Sequence, residues 1–338
     1  MKRLLLLALG LILISWSVWL YAESVWSQPL LVPERGVFIQ ISAGDSLGKV
    51  LSNAESEGWL RDSGMIGVLA RLRGLDARIQ VGEYQISAGD TVNGLIESLI
   101  RGRVFQHSVT LPEGVTLRRA LEILWSHEAL KKSINGVSDT ALLELVGDYD
   151  SAEGWFLPET WSFTRGETDI DVLRRAHNAM AELLENLWRD QAAGLPFASP
   201  YEALILASIV ERETAIADER SQVAGVFIRR LGMGMRLQTD PTVIYGLDES
   251  YRGNLTRVHL RDRNNLFNTY QHAGLPPTPI ALPGRGALRA VFAPDQSDTL
   301  YFVARGDGTH AFSASLADHE NNVRQYQLSS RADYRSTP

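Results

Sequence analysis

Hydrophobic and polar positions change period several times along this chain, and each change marks a predicted element. Residues 4–22, LLLLALGLILISWSVWLYA, are uncharged and mostly apolar behind Lys2 and Arg3. That length suits one bilayer-spanning helix with its N-terminus in the cytoplasm. Trp16, Trp19 and Tyr21 belong at the outer interface. Leu20 and Ala22 make no small-x-small cleavage site, so the segment reads as an anchor rather than a cleaved signal peptide. Residues 1–3 are then a cytoplasmic tip. Everything from Glu23 onward is expected on the periplasmic side of an inner membrane.

A polar linker over 23–37, with Pro29 and Pro33, leads into a region that repeats itself. Ile41 to Asp45 reads ISAGD, and so does Ile86 to Asp90. Each copy precedes a Ser or Thr and a helix-like run, so a turn and an N-cap fall at the same place in two strand-turn-helix units. Another helix is predicted over Ser63 to Arg73 and a strand over Gly82 to Ile86. The arrangement resembles LysM-like modules, small βααβ units that bind the sugar backbone of peptidoglycan.

Beyond Arg103 the pattern predicts a strand at Ser108–Leu111, an amphipathic helix at Leu117–Leu130 and a long helix at Asp169–Trp188. Between them, EGWFLPETW (Glu153 to Trp161) sets three large aromatics in a Gly- and Pro-bounded loop. It fits a carbohydrate groove or a packed loop equally well. Further helix is expected over Ser221–Leu231. Strand and loop are expected over Met235–Gly246, extended chain through Gly274–Ile280, and a strand at Leu300–Ala304.

The strongest pattern is SPYEALILASIVERETAIA, Ser199 to Ala217. Ser199 can cap, Pro200 suits the first helical position, and Glu202 completes a capping box. From Ala203 to Val210 only Ser208 is polar, so the helix has no solvent face and runs through the interior. Glu211 and Glu213 follow at once. Carboxylates at the end of a buried helix are costly to desolvate and tend to be paired or catalytic. Two positions apart on a helix, they point about 200° from each other and cannot face one substrate together. Glu213 has the larger apolar neighbours, Ile209, Val210, Ile216 and Ala217, so it is expected to be the general acid with Glu211 in support. Ion pairing of both with Arg212, Arg220 or Arg229 remains an alternative.

Composition narrows the function. Forty acidic against 33 basic residues give a net charge of −7, and no basic stripe supplies what nucleic-acid binding needs. There are no cysteines, which excludes disulfides and thiolate chemistry. No lysine follows Lys132, which leaves that part of the chain without an amine for a Schiff base. Gly232-x-Gly234 and Gly284-Arg285-Gly286 lack a nucleotide-site context, and His310 and His319 have no zinc-motif spacing. No cofactor and no metal are expected.

ASIVERETA (207–215), RLQTDPTVIYG (236–246), NTY (268–270), GLPP (274–277) and YFVA (301–304), with EGWFLPETW, resemble the YceG-like (MltG) family of endolytic murein transglycosylases. Asn265-Leu266-Phe267 before NTY and Ser-Ala-Ser after Phe312 depart from the family pattern. The resemblance implies an α+β chain: a single transmembrane helix, a LysM-like domain at 38–105, a mixed α+β catalytic domain at 106–328 and a flexible tail at 329–338. It implies peptidoglycan strands as substrate, with peptidoglycan synthases as candidate partners. It implies that Glu213 is catalytic, protonating the β-1,4 bond between N-acetylmuramic acid and N-acetylglucosamine and leaving a 1,6-anhydro end. Gln238, Asp240, Asn268, Tyr270 and His310 are expected to line the groove. A hydrolytic muramidase using Glu213 with Asp240, and a non-catalytic peptidoglycan-binding scaffold, are the alternatives.

Overall fold

In the computed structural model, which describes residues 2–75 and 79–328, the chain divides into two units. One comprises residues 1–107 with 163–166, the other residues 108–162 and 167 onward. The tail expected to be flexible, 329–338, lies outside the described residues.

The first unit begins with helix α1 (Lys2–Trp26). Its segment Leu5–Trp26 is long and apolar enough to cross a membrane. The helix outruns the expected 4–22 span, because nothing between Glu23 and Trp26 breaks it before Pro29. The segment read as a polar linker is therefore partly core: Val25, Trp26 and Leu30 are buried.

Strand β1 (Val37–Ile41), helices α2 (Leu47–Ser56) and α3 (Ser63–Leu72), strand β2 (Gly82–Ile86) and helix α4 (Val92–Arg101) complete the unit. β1 and β2 pair antiparallel with Ile39 opposite Tyr84. The two ISAGD copies form the same turn. Asp45 accepts from the Ser42 N–H at 2.8 Å and Asp90 from the Ser87 N–H at 2.7 Å. Ser46 and Thr91 then cap the helices that follow. Each turn thus reverses the chain and satisfies an orphan helix donor within six residues. Ile41, Leu51, Ile66, Tyr84, Ile86, Ile96 and Leu99 fill the core these elements enclose.

The second unit is mainly helical. Strand β3 (His107–Thr110) pairs with β4 (Thr160–Phe163), and helices α5 (Leu117–Trp125) and α6 (Thr140–Val146) lie between them in sequence. Helix α7 (Asp169–Arg189) precedes α8 (Pro200–Glu213), α9 (Arg220–Gly232), α10 (Asp240–Leu247), α11 (Arg257–Arg261) and α12 (Arg285–Phe292). Strands β5 (Tyr301–Ala304) and β6 (His310–Ser313) pair antiparallel, and α13 (Leu316–Val323) follows.

α8 is the axis of this unit: α7, α9, α10 and α12 all pack against it, and residues 203–210 are buried throughout. Its one polar interior residue is accounted for. Ser208 donates to the Ile205 carbonyl at 2.7 Å and accepts from the Ile280 N–H at 2.9 Å. At its start Ser199 accepts from the Glu202 N–H, while the Glu202 carboxylate takes the Ala198 N–H at 2.7 Å, one residue before the cap.

Two expectations change. α5 ends at Trp125, where Ser126 caps it, rather than at Leu130. The segment after Met235 is not strand: Asp240 and Pro241 open α10, an acid and a proline suited to a first helical turn. Three β-branched residues in a row, Thr242, Val243 and Ile244, favour extended chain by local preference, which the helix overrides.

Candidate active site

α8 stops at Glu213 rather than running on to Ala217. Thr214 is extended, at φ −143° and ψ 132°. Its hydroxyl accepts from the Ile216 N–H at 3.1 Å, a local bond that competes with another helical turn. Ile216 and Ala217 therefore do not stack one turn after Glu213. The acid is desolvated by other segments.

Burial pushes the Glu213 carboxyl up to about 7, and repulsion from the Asp240 carboxylate adds to it. The Thr239 hydroxyl and the guanidinium groups of Arg230 and Arg212 pull the other way without cancelling the rise. Thr239 is 1% exposed, and its hydroxyl has no partner at full bonding distance among the described residues. Arg230 is buried at 7% exposure and fixed by the Leu300 carbonyl at 2.7 Å and the Leu237 carbonyl at 2.6 Å.

The chain opposite Glu213 is built from two of the sequence strings. Gln238 takes φ +52°, a left-handed conformation that costs a non-glycine residue energy and is held by its surroundings. Its N–H donates to the Thr269 carbonyl at 3.3 Å, and the Thr239 N–H donates to the Thr269 hydroxyl at 3.1 Å. The Thr242 and Thr269 hydroxyls meet at 2.9 Å. Tyr270 donates its phenol to Asp240 at 2.7 Å, and Arg236 holds the Tyr270 carbonyl at 3.0 Å. Burial first, then the Asp240 charge, raises the Tyr270 pKa, so the phenol remains a donor. Gln238 and Asp240 are exposed.

The remaining expected site residues are placed differently. Asn268 is fully buried, with both amide hydrogens on backbone carbonyls, His259 at 3.1 Å and Asp262 at 2.7 Å. Its oxygen accepts from the Tyr270 N–H at 3.0 Å, so it shapes the loop that carries Tyr270. His310, on β6, gives its Nδ1 to Glu219 at 2.8 Å, and its N–H goes to the other oxygen of the same carboxylate at 2.9 Å. Glu219 reaches the Thr214 hydroxyl at 3.5 Å, linking β6 to the residue after the acid.

Glu211 turns away from Glu213. Its carboxylate accepts from the Gly284 N–H at 3.0 Å and stands 3.7 Å from Arg220, which also lies 3.7 Å from Glu113. Burial, aided by Glu113, raises its pKa despite the Gly284 bond. A Cβ at Gly284 would come within 1.8 Å of the Glu113 carboxylate, so a larger residue there would displace that side chain. Arg212 donates to the Gly114 carbonyl at 3.1 Å. The last turn of α8 is thus tied on both sides of Glu213.

Several residues of this neighbourhood did not stand out in the sequence. Arg230 had a signal: it falls in the apolar stripe of α9 after Val223 and Phe227, where a cation is out of place. Glu219 had none, because its partner lies 91 residues away. Glu153 is a second buried carboxyl pushed up to about 7, by burial. It accepts from the Leu117 N–H at 2.8 Å and the Tyr245 phenol at 3.1 Å. The aromatic loop around it is packed: Trp155 and Phe156 are buried, and Trp155 stacks on Tyr201 with ring centroids 5.6 Å apart.

What this arrangement can do is donate and retrieve one proton near neutrality beside exposed hydrogen-bonding groups. Comparison with known proteins bears on the use. Residues 39–325 match the YceG-like family. An endolytic murein transglycosylase of Bacillus subtilis is 26% identical over 94% of this chain and 92% of its own length. One from Streptococcus pneumoniae is 23% identical over 87% of this chain, which spans 59% of that longer protein. The crystal structure of a YceG-like protein from Listeria monocytogenes superimposes with a TM-score of 0.56, covering 86% of this chain and 99% of that one at 23% identity, a likeness of fold.

Proposed function

The chain belongs to the YceG-like family, and from that premise we propose that it is a membrane-anchored lytic transglycosylase of peptidoglycan with Glu213 as general acid and base. The observation that supports the residue assignment is the Glu213 carboxyl, pushed up to about 7 beside Thr239 and the exposed Asp240. The names of the relatives support the substrate class.

In this reading Glu213 gives its proton to the glycosidic oxygen as the bond to C1 of N-acetylmuramic acid breaks. The ionised carboxylate then takes the proton from the C6 hydroxyl of that sugar, whose oxygen closes onto C1. A 1,6-anhydro end results and no water is consumed. One carboxyl suffices because the nucleophile is tethered to its own electrophile, at an effective concentration no free water reaches. A pKa near the working pH lets the same group serve in both directions. Asp240, held by Tyr270, keeps the proton on Glu213 in the resting enzyme. The first unit, with its two strand-turn-helix elements, takes the LysM-like role of holding the glycan, and Leu5–Trp26 is the membrane anchor, with the chain that follows it outside the cytoplasm.

Digestion of purified peptidoglycan with wild type and Glu213→Gln, read by product mass, tests this. Anhydro ends from wild type and none from the variant are expected. Full activity in Glu213→Gln would remove the assignment. Products heavier by one water would favour hydrolysis with Asp240 as the second carboxylate, a reading that the repulsion between Asp240 and Glu213 keeps in play.

A further inference from the structure

Helix α3 has two faces, and only one is used inside the first unit. Ile66 and Ala70 are fully buried in its core, while Met65, Val68 and Leu72 stand 39%, 52% and 79% exposed. Their spacing of three and then four residues puts them in one stripe. Gly64 and Gly67 have open space where a Cβ would stand, so they add to the surface without roughening it. A soluble unit would place charges on such a face.

The position of α3 identifies what covers it. Its N-cap residue, Asp62, accepts the Tyr21 phenol at 3.1 Å. Past its other end Arg73 reaches Glu23 at 3.3 Å and lies 4.2 Å over the Trp26 ring. Both ends of a helix about 15 Å long are therefore held by positions at most five residues apart on α1, about 7.5 Å along its axis. α3 therefore packs beside the last turns of α1. Where α1 spans a bilayer, α3 lies at the level of the outer headgroups. Arg61 and Arg71 are exposed beside the apolar stripe, the pairing of apolar and basic side chains that a lipid interface favours.

We propose that the outward face of α3, through Met65, Val68 and Leu72, rests in the outer lipid leaflet and holds the first unit against the membrane. This relies on Leu5–Trp26 being a span, and the experiment separates the two claims. The chain has no cysteine, so single-cysteine variants of the full chain take one fluorophore each: Val68→Cys and Leu72→Cys on the stripe, Leu11→Cys in α1, and Val258→Cys on the second unit. In phosphatidylglycerol nanodiscs carrying spin-labelled acyl chains, labels at 68 and 72 should be quenched several-fold more than the label at 258, and the label at 11 more strongly still. Quenching at 11 with 68 and 72 behaving like 258 overturns the interfacial helix and leaves the span. Absence of quenching at 11 overturns the span, and the present inference with it. Shielding of 68 and 72 from water without quenching by lipid, accompanied by crosslinking between copies, would mean that a second chain covers the face and also overturns it.

Discussion

Glu213 and Glu153 carry similarly raised carboxyls, about 7 in each case, and burial is the first cause in both. Their surroundings differ. Glu153 receives the first N–H of α5 and the Tyr245 phenol, so each carboxyl oxygen already has a donor. Its aromatic neighbours are packed on one another, and it is 5% exposed. Glu213 sits at the last residue of a helix, with only a loose contact from the Thr239 hydroxyl and a repelling carboxylate on an exposed turn. A perturbed pKa by itself reports desolvation. Bonding capacity left unused, within reach of solvent, is what marks a group that can act on something from outside.

The comparison breaks most sharply in catalysis. Glu213→Gln should lower formation of anhydro ends by roughly 10³-fold, within the usual range for losing a general acid, whereas Glu153→Gln should stay within about threefold. Similar losses in the two variants would place both carboxyls in the reaction.

Stability against pH offers the next largest effect. Each carboxyl has a folded pKa raised from 4.5 to about 7. Each therefore contributes stability that is complete below about 4.5 and disappears as pH rises through 7, up to about 3 kcal/mol apiece. Chemical denaturation of wild type should show lower stability at pH 8 than at pH 5, and Glu153→Gln should remove about half of that fall. A flat profile in wild type would contradict the burial of both groups.

Glu153→Ala leaves the Leu117 N–H and the Tyr245 phenol without their acceptor. Unfolding measured at pH 5 should show a loss of about 1–3 kcal/mol, while turnover below the melting transition is retained. The smallest effect sharpens the picture at Glu213 itself. Asp240→Asn removes the repelling charge, so the fall in activity with rising pH should begin about one pH unit lower, with roughly fivefold less activity at pH 7. Complete loss at every pH, measured by the same product assay, would instead assign Asp240 to bond cleavage.

Much of this was legible in the sequence because it is local. Ser199, Pro200 and Glu202 announce the start of α8, and its apolar run announces its burial. The two ISAGD copies specify turn, cap and helix within a few residues each. The end of α8 was less legible: Thr214 stops the helix through its own hydroxyl, whereas the apolar Ile216 and Ala217 suggested continuation. α10 was hidden by β-branched residues whose preference yields to burial against α8. Asp240 was named as a possible second carboxylate for Glu213 and Arg230 carried a signal in its helix, but Thr239 and Glu219 gain their meaning only from contacts across the fold. Asn268 illustrates the reverse case: it stands in a family string, yet its amide is used up in holding its own loop.

The ties that hold the last turn of α8 also impose an order in time. Arg212 meets Gly114 across 98 residues, Glu211 meets Gly284 across 73, and His310 closes on Glu219 across 91. Such distant pairings form after local helices, and in a chain synthesised from its N-terminus the last of them waits until residue 310 has emerged. The raised Glu213 pKa is therefore a property of the assembled chain: helix α8 alone brings neither Asp240 nor Arg230 to its last residue.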